Sequence, residues 1–549
     1  MLEGCHGKAE PYRSVRRQSR RLFCCSSPLR TKIKFFRNKT LHRVSALESN
    51  DRVHVVHSNE TKMSDSEGLP ITTEFVEPRT GAPAAAAEPP GLWSAIRESL
   101  RGSHRDYTQG PIGRSIILLA IPMVLEMCME SIFAVVDIKW VSYLGPDAMA
   151  TVGLTESLLT LMYAIAIGLS IGATATVARR IGEKNPEGAA RAAIQALALG
   201  LIVSAVVALI GAPLAPKLLS IMGASPEVVA QGWGFTTIML AGNVPIMMLF
   251  MINAIFRGAG DAAIAMRVLW LANAINILLG PCFIFGLGPF PKLGIVGAAV
   301  ATNIGRGTGA LYAFSRLIRS GGRFEIKGHH FRLEPAIMLR LVRLSATATF
   351  QVFIGMASWI GLVRTISSFG TNVVAGYIVG IRVILFALLP SWGMSNAAAT
   401  MVGQALGAKN PERAERAVWQ AGLYNMIFLG CVGLVFVLLA RQIIGLFTTD
   451  PNVVPYGVDC LRIVASGFLF YAWGMVITQS FNGAGDTWTP TIINLFVFWL
   501  WELPLAYALA IVFGFGPRGV FLAITIAFST LAVVSAVLFR RGKWKRQVV

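Results

Sequence analysis

Long apolar runs separated by short polar joints dominate the chain from residue 112 onward. Each run has about 20 residues, the length that an α-helix needs to cross a hydrocarbon core of about 30 Å. The pattern predicts twelve membrane-spanning helices, at 115–143, 148–176, 189–213, 233–256, 264–288, 293–317, 338–368, 372–400, 414–440, 459–482, 488–514 and 518–540. The predicted fold class is therefore an all-α integral membrane protein.

An internal repeat with a constant offset of 225 residues divides these spans into two sets of six. Residues 182–187 (GEKNPE) recur at 407–412 (GAKNPE), and residues 256–261 (FRGAGD) recur at 481–486 (FNGAGD). Because six is an even number, both copies have the same orientation, so we expect a pseudo-two-fold axis along the membrane normal. This predicts two six-helix bundles with a cavity between them, an arrangement typical of alternating access.

Composition sets the boundaries of the remaining segments. We expect a disordered cytoplasmic extension at 1–110 with a short interfacial helix near 93–101, bundles at 111–320 and 338–541, a cytoplasmic linker at 321–337 and a basic cytoplasmic tail at 542–549. Residues 1–62 are either a targeting segment or the product of an over-extended start, since Met63 opens a second plausible beginning. Lys and Arg crowd the even-numbered joints, which places both termini in the cytoplasm. We expect a multi-pass protein of the plasma membrane, the inner membrane of a bacterium.

Composition also excludes several classes of protein. Hydrophobic residues make up 54% of the chain and charged residues 14%, which does not fit a soluble protein. The net charge of +20 lies in the N-terminal segment and the joints, so we expect no nucleic-acid partner. The seven cysteines have no zinc-binding spacing and the sequence has no Walker A motif. We therefore expect no metal, no cofactor and no ATP-driven step.

Acidic side chains in the first predicted span are the main functional candidates, because a charge at mid-bilayer costs about 2.5 to 3.5 kcal/mol. This span contains Glu126, Glu130 and Asp137. Around the helix axis Glu130 lies about 40° and Asp137 about 20° from Glu126, so the three carboxylates share one face. We expect this face to line a cavity and to bind protons or a small cation such as Na⁺. The alternative is that Glu126 or Glu130 pairs with Arg306 of the sixth span.

The second half of the repeat lacks these acids. Gln351, Gly355 and Leu362 stand at the corresponding positions, so cation coupling is predicted in the N-terminal half. Glu502 in span eleven and Arg382 in span eight remain, and each either faces the substrate or is the structural partner of the other.

Aromatic and methionine side chains within the spans are candidates for the wall of a pocket that binds flat apolar cations. Packing and contact with lipid are the alternatives for each of them. The candidate substrate-cavity residues are Gln351, Arg306, Met251, Tyr471 and Glu502.

Several short segments, taken in order, resemble the multidrug and toxic compound extrusion family from about Ile112 to Lys545. They are Ala120 to Pro122, Val136-Asp137, Gly145 with Ala148, the paired Lys-Asn-Pro-Glu loops, Phe256 to Asp261, Asn276 to Pro281 and Val402 to Gly407. The resemblance implies a membrane antiporter that expels cationic, amphipathic drugs or metabolites in exchange for H⁺ or Na⁺. We accordingly expect a carrier rather than an enzyme, and a monomer.

The resemblance also implies where coupling takes place. Members with the coupling site in the N-terminal lobe use an aspartate in the first span, matched here by Asp137, and an Asn-x-x-x-Asp pattern in the fifth. Asn276 matches the asparagine, but Gly280 replaces the aspartate. We hypothesise that Glu130 or Glu126 substitutes for the missing carboxylate.

The other known branch of the family carries acids in the seventh and tenth spans. This chain has Gln351 in the seventh span and no acid near Tyr471 in the tenth.

Two other functions compete with an antiporter. A lipid-linked oligosaccharide flippase of the same superfamily would need a larger and more basic cavity than the acidic face of the first span offers. An intramembrane enzyme resembling a prenyl transferase would need clustered aspartates or a His-rich metal site, and the sequence contains neither.

Overall fold

The computed structural model describes residues 92–102, 106–319 and 323–549. The expectations for residues 1–91 lie outside the described residues. The first helix, α1 (Leu92–Arg101), bears an indole at Trp93 that is 83% exposed. Arg267 of the N-terminal bundle donates hydrogen bonds to the carbonyl oxygens of Leu100 and Arg101, and so holds the end of this helix.

Two helical bundles follow, as the repeat predicts. The N-terminal bundle consists of α2 (Ile112–Ser142), α3 (Pro146–Gly182), α4 (Pro186–Ile221), α5 (Pro226–Ala241), α6 (Asn243–Ala259), α7 (Ala262–Phe285) and α8 (Ile295–Ile318). The C-terminal bundle consists of α9 (Pro335–Ser367), α10 (Thr371–Gly407), α11 (Pro411–Gly445), α12 (Val454–Ser466), α13 (Phe468–Ala484), α14 (Trp488–Asn494), α15 (Leu503–Tyr507) and α16 (Pro517–Arg540). Two π-helical segments, Leu495–Glu502 and Ala508–Val512, flank α15 and make one continuous span with it and α14.

Length and apolar composition identify the membrane spans among the described residues. Ten helical segments are long and apolar enough to cross a membrane, and α12 with α13, which are bent by 59° at their junction, make an eleventh. The remaining predicted span is α8, which has 24 residues but carries Arg306 and Asn303. Both of these polar side chains have hydrogen-bond partners within the bundle, which explains why the lower hydropathy of α8 is tolerated.

The two halves of the repeat have matching local structure. Asn185 and Asn410 cap the N-termini of α4 and α11, and their side chains accept backbone N–H groups at 2.8 and 2.9 Å. The lysines just before them, Lys184 and Lys409, both have positive φ angles, of 55° and 57°. The two Lys-Asn-Pro-Glu loops are therefore the same turn, used once in each bundle.

The bundles are in close contact at the end that carries these two loops, which we call the loop end. A Cβ atom on Gly182 would lie 2.0 Å from the carbonyl oxygen of Gln404, and one on Gly407 would lie 2.2 Å from that of Arg179. Each pair is related to the other by the 225-residue repeat, so α3 and α10 cross near the pseudo-two-fold axis. Such backbone contact requires small residues, because helix association in a membrane depends on close packing.

Two chain segments cross between the bundles at the loop end. Arg413 of α11 donates hydrogen bonds to the carbonyl oxygens of Tyr107, Gln109 and Gly110, in the segment that leads into the N-terminal bundle. The tail after α16 makes the reverse connection, which we call the tail strap (residues 542–549).

The tail strap is anchored in its own bundle and bound by the other. The Trp544 indole is fully buried and stacks on Phe539 at a centroid distance of 4.5 Å. From α3 of the N-terminal bundle, Arg179 donates to the carbonyl oxygen of Gln547, and Arg180 donates to Val549 O at 3.1 Å. The strap therefore joins the two bundles at the end where they are already in contact.

Candidate functional site

Two neighbouring chambers are present, one between the bundles and one lined mainly by the C-terminal bundle. The N-terminal chamber has a volume of about 230 Å³ and is lined by Glu126, Glu130, Arg257 and Arg306. The C-terminal chamber has a volume of about 540 Å³. The two chambers adjoin at four residues that line both of them: Ile171, Leu389, Trp392 and Gln479.

Glu126 forms an ion pair at the floor of the N-terminal chamber. Its Oε1 atom accepts a hydrogen bond from Arg257 at 2.7 Å, and Asn253 Nδ2 lies 3.5 Å from the same oxygen. The other oxygen, Oε2, is buried and has no hydrogen-bond donor among the described residues. An unpaired buried carboxylate oxygen is unfavourable, and it is also the position where an added proton would meet no competing donor.

Glu130 is bound at both of its oxygens. Arg306 donates to Oε1 at 2.7 Å and to Oε2 at 3.4 Å, and Asn273 donates to Oε2 at 3.0 Å. The Arg306 guanidinium also lies over the ring of Phe133, 5.1 Å from its centroid. The two acids on one helix face thus have different surroundings. Glu130 accepts three hydrogen bonds, whereas one oxygen of Glu126 has no hydrogen-bond donor in the part of the chain that the structure describes.

The structure decides the alternative that the sequence left open for these acids. Glu130 pairs with Arg306, whereas the partner of Glu126 is Arg257. Arg257 directly follows the fourth predicted span (233–256), so the sequence alone places it in a joint and does not identify it as the partner of Glu126. A signal was present in the sequence, because the repeat replaces Arg257 by Asn482 and Glu126 by Gln351, so both members of the pair are lost together.

Asp137 and Asn276, two of the predicted cation-coupling residues, do not line either chamber. Asp137 is half-buried and has no hydrogen bond or ion pair with any described residue. It remains within electrostatic range of Arg306 and of Glu156. Asn276 is buried and donates to Thr302 Oγ1 at 3.1 Å, which joins α7 to α8.

The C-terminal chamber brings together three of the predicted substrate-cavity residues, Gln351, Tyr471 and Glu502. Of the two alternatives that the sequence left open for Glu502 and Arg382, their mutual pairing is wrong, because the side chain of Arg382 is exposed and interacts electrostatically with Glu156.

The expectation that Met251 lines the substrate cavity is also wrong. Met251 is fully buried and packs in the apolar core of the N-terminal bundle, where its side chain fills the space beside Gly200. A methionine on an apolar helix face faces the core more often than a cavity, and hydropathy alone does not distinguish the two.

A cluster of Glu187, His329 and His330 lies where the inter-bundle linker contacts α4. The Nε2 atoms of the two histidines lie 2.9 and 3.0 Å from Glu187 Oε1, a spacing that a metal ion could use. However, the backbone N–H of Lys327 donates to His330 Nδ1 at 2.9 Å, which places the proton of the neutral ring on Nε2, facing the carboxylate. His329 Nε2 is hydrogen-bonded to Glu187 Oε1, whereas His330 Nε2 lies close to the same oxygen without a hydrogen bond. These contacts tie the linker to the N-terminal bundle, and we assign no metal to the cluster.

The fold and the chambers define a class of protein, a multi-pass membrane transporter built from two repeated helical bundles with ionisable groups in the central cavity. A sequence model of the MatE family matches residues 122–282 and 347–508, two segments that begin 225 residues apart. The chain belongs to this family, which confirms the resemblance drawn from the sequence motifs.

Relatives and solved structures agree with this assignment. The chain is 25% identical over 439 residues to the probable multidrug resistance protein NorM of Thermotoga maritima, covering 80% of this chain and 94% of that protein. It is 29% identical to the probable multidrug resistance protein NorM of Caulobacter vibrioides, with the same coverage. A structure described as the outward-facing conformation of a multidrug resistance MATE family transporter superposes with a TM-score of 0.76 at 28% identity, over 80% of this chain and 98% of that one.

Proposed function

We propose that this protein is a secondary active efflux transporter, which exchanges cationic, amphipathic small molecules for protons by alternating access between its two bundles. The observation that carries the proposal is the pair of Glu126 and Arg257 in a chamber between the repeated bundles, with one carboxylate oxygen unoccupied. The names of the relatives, which describe multidrug resistance proteins, support the substrate class.

Protonation of Glu126 changes the charge of the chamber. In the ion pair, the charges of Glu126 and Arg257 cancel. A proton on Oε2 neutralises the carboxylate and leaves the Arg257 guanidinium without compensation. Two positive charges about 10 Å apart at an effective dielectric constant of about 20 repel by roughly 1.7 kcal/mol, which is more than a tenfold change in affinity. Proton binding would thus expel a cation from the neighbouring C-terminal chamber.

A proton fits this position better than Na⁺. The guanidinium of Arg257 lies 2.7 Å from the carboxylate and would repel a metal cation at the same group, whereas a proton converts the carboxylate into a neutral acid. Asp137 lies on the same face of α2 as Glu126, and it is within electrostatic range of Arg306 in α8. We propose that protons pass Asp137 on their way to Glu126. Coupling is thereby proposed for the N-terminal half, with Glu130 fixed by Arg306.

Alternating access requires the two bundles to separate at the loop end. The close contacts of Gly182 and Gly407 keep that end closed in this conformation. The positive-inside rule favours a cytoplasmic position for the Lys-Asn-Pro-Glu loops. In that orientation, opening at the loop end would expose the chambers to the cytoplasm. We propose that the protein is inserted in the inner membrane of a bacterium, with both termini in the cytoplasm. We also propose that it is a monomeric carrier without catalytic activity. The bacterial origin of the relatives supports the compartment.

Transport in liposomes tests this function. Purified protein would be reconstituted, a pH gradient or a Na⁺ gradient imposed, and the movement of a fluorescent organic cation followed. We expect movement with the pH gradient alone, loss of that movement in Glu126→Gln and a partial loss in Asp137→Asn. Movement driven only by Na⁺, or an unchanged response in Glu126→Gln, would overturn the proposed coupling. Absence of gradient-driven movement across a broad cation panel would overturn the antiporter itself.

The flippase alternative is not favoured by the chambers. The N-terminal chamber carries two acids and two arginines, and the formally charged residue lining the C-terminal chamber is an acid, within the described residues. A lipid-linked oligosaccharide with a pyrophosphate group would instead need an excess of positive charge.

A further inference from the structure

The C-terminal chamber has one formally charged side chain among the described residues that line it, the carboxylate of Glu502. This residue is 1% exposed, and it has no hydrogen bond or ion pair with any described residue. A buried carboxylate in a membrane span is costly unless a proton or a positively charged ligand accompanies it. Its surroundings within the bundle supply no such partner.

Aromatic rings line the same chamber as this carboxylate. Tyr377 and Tyr471 lie within electrostatic range of Glu502, and both line the chamber. The Tyr471 ring lies 4.1 Å from that of Phe528, which in turn makes an edge contact with Phe498 at 5.6 Å. The faces of such rings attract cations, most strongly where water is excluded.

The backbone at Glu502 is also unusual. Residues Leu495–Glu502 form a π-helix, whereas the corresponding helix of the first half, α7, is a regular α-helix. Ile277 occupies the position of Glu502 in that half. Insertions of π-helix occur often at functional sites because they change the direction of side chains. The acid and the π-helix occur together in one half of an otherwise repeated fold.

We infer that Glu502 and the aromatic rings of the same chamber form the subsite that holds the positive group of the transported molecule. The ligand class is an organic monocation with apolar substituents, such as a quaternary ammonium or phosphonium ion. A chamber of about 540 Å³ accommodates a molecule of drug size. The inference rests on the proposed function and names the place where its substrate binds.

Binding to purified protein tests this subsite without transport. Titration calorimetry would compare tetraphenylphosphonium with neutral triphenylphosphine oxide, in wild type and in Glu502→Gln. We expect Glu502→Gln to weaken tetraphenylphosphonium binding at least tenfold and to change binding of the neutral oxide by less than twofold. Because Glu502 has no partner to lose, the variant should unfold at the temperature of the wild type or above it. Glu227→Gln, at an exposed acid in the first turn of α5 that lines neither chamber, is the control and should bind both compounds as the wild type does.

Two outcomes would overturn the subsite. One is unchanged affinity for tetraphenylphosphonium in Glu502→Gln. The other is an equal loss of affinity for both compounds, which would indicate a structural role. The result is separable from that of the proposed coupling, because the charge-neutral double variant Glu126→Gln with Arg257→Gln should still bind tetraphenylphosphonium but lose the response to a pH gradient in liposomes. Retained binding without gradient-driven transport would count against the exchange mechanism and leave the subsite standing.

Discussion

Arg257 Nη1 lies 2.7 Å from Oε1 of Glu126, and this contact joins the first span to the end of the fourth. The Glu126 side chain is 2% exposed and that of Arg257 is 12% exposed. Charges this well buried depend on each other, since either one alone would keep its desolvation cost without the compensating attraction. Protonation of Glu126 removes the negative charge that compensates Arg257, so it changes the net charge of the N-terminal chamber.

Thermal stability should reveal this dependence. We expect Glu126→Gln and Arg257→Gln each to lower the free energy of unfolding by about 3 kcal/mol, because each leaves a buried group uncompensated. The double variant should regain most of that loss. Differential scanning fluorimetry of the purified proteins checks this prediction. A double variant whose loss equals the sum of the single losses would show that the two residues do not interact energetically.

The net charge of the N-terminal chamber should change the affinity for cations: a more positive chamber should lower it, and a more negative chamber should raise it. Glu130→Gln leaves Arg306 without its acid and makes the chamber more positive, so we expect affinity for tetraphenylphosphonium to fall about tenfold. Arg306→Gln makes the chamber more negative, so affinity should rise by a similar factor. Titration calorimetry measures both, and Glu130→Gln combined with Arg306→Gln serves as the charge-neutral control. Changes of the same sign in the two single variants would contradict an electrostatic effect.

The close contact at the loop end should not tolerate a side chain. In Gly182→Ala the new methyl group would meet the carbonyl oxygen of Gln404, which we expect to cost about 1 to 3 kcal/mol and to force α3 and α10 apart. Accessibility of a cysteine introduced at Asn482 to a water-soluble maleimide should therefore increase. Gly153→Ala is the matched control in the same helix, because a Cβ there meets no atom within 4 Å. Equal labelling of the two variants would argue against closure by this contact.

The tail strap should slow separation of the bundles. Arg179→Gln removes one of the two donors that reach the tail from α3, and it leaves the contact of Arg180 with Val549 and the buried Trp544 in place. We expect exchange between conformations to become faster, by a few-fold, with little change in thermal stability. Single-molecule fluorescence between labels on the two bundles measures this rate. Lys545→Ala is the control, because Lys545 pairs with Glu415 inside its own bundle. Equal rates in wild type and Arg179→Gln would rule out a role for the contact between Arg179 and the strap.

Local patterns in the sequence predicted most of the fold. Apolar runs of membrane length predicted the spans, and the recurrence of the Lys-Asn-Pro-Glu loops predicted two bundles. The matching caps of Asn185 and Asn410 show why this succeeded, since the same local sequence makes the same turn in each half. Helical periodicity likewise placed Glu126, Glu130 and Asp137 on one face before any partner was known.

Tertiary structure alone decided what that face meets. The angular positions of Glu126 and Glu130 differ by about 40°, yet this determines neither which arginine reaches which acid nor which oxygen remains unpaired. Those outcomes depend on how α6, α7 and α8 pack around α2, over distances that no sequence period encodes. For the same reason the sequence left Glu502 and Arg382 as possible partners, whereas helix packing in the C-terminal bundle directs one into the aromatic chamber and leaves the other exposed. Membrane insertion and repeat symmetry follow from local hydrophobicity and pattern, but the pairing of buried charges follows from the contacts that packed helices make.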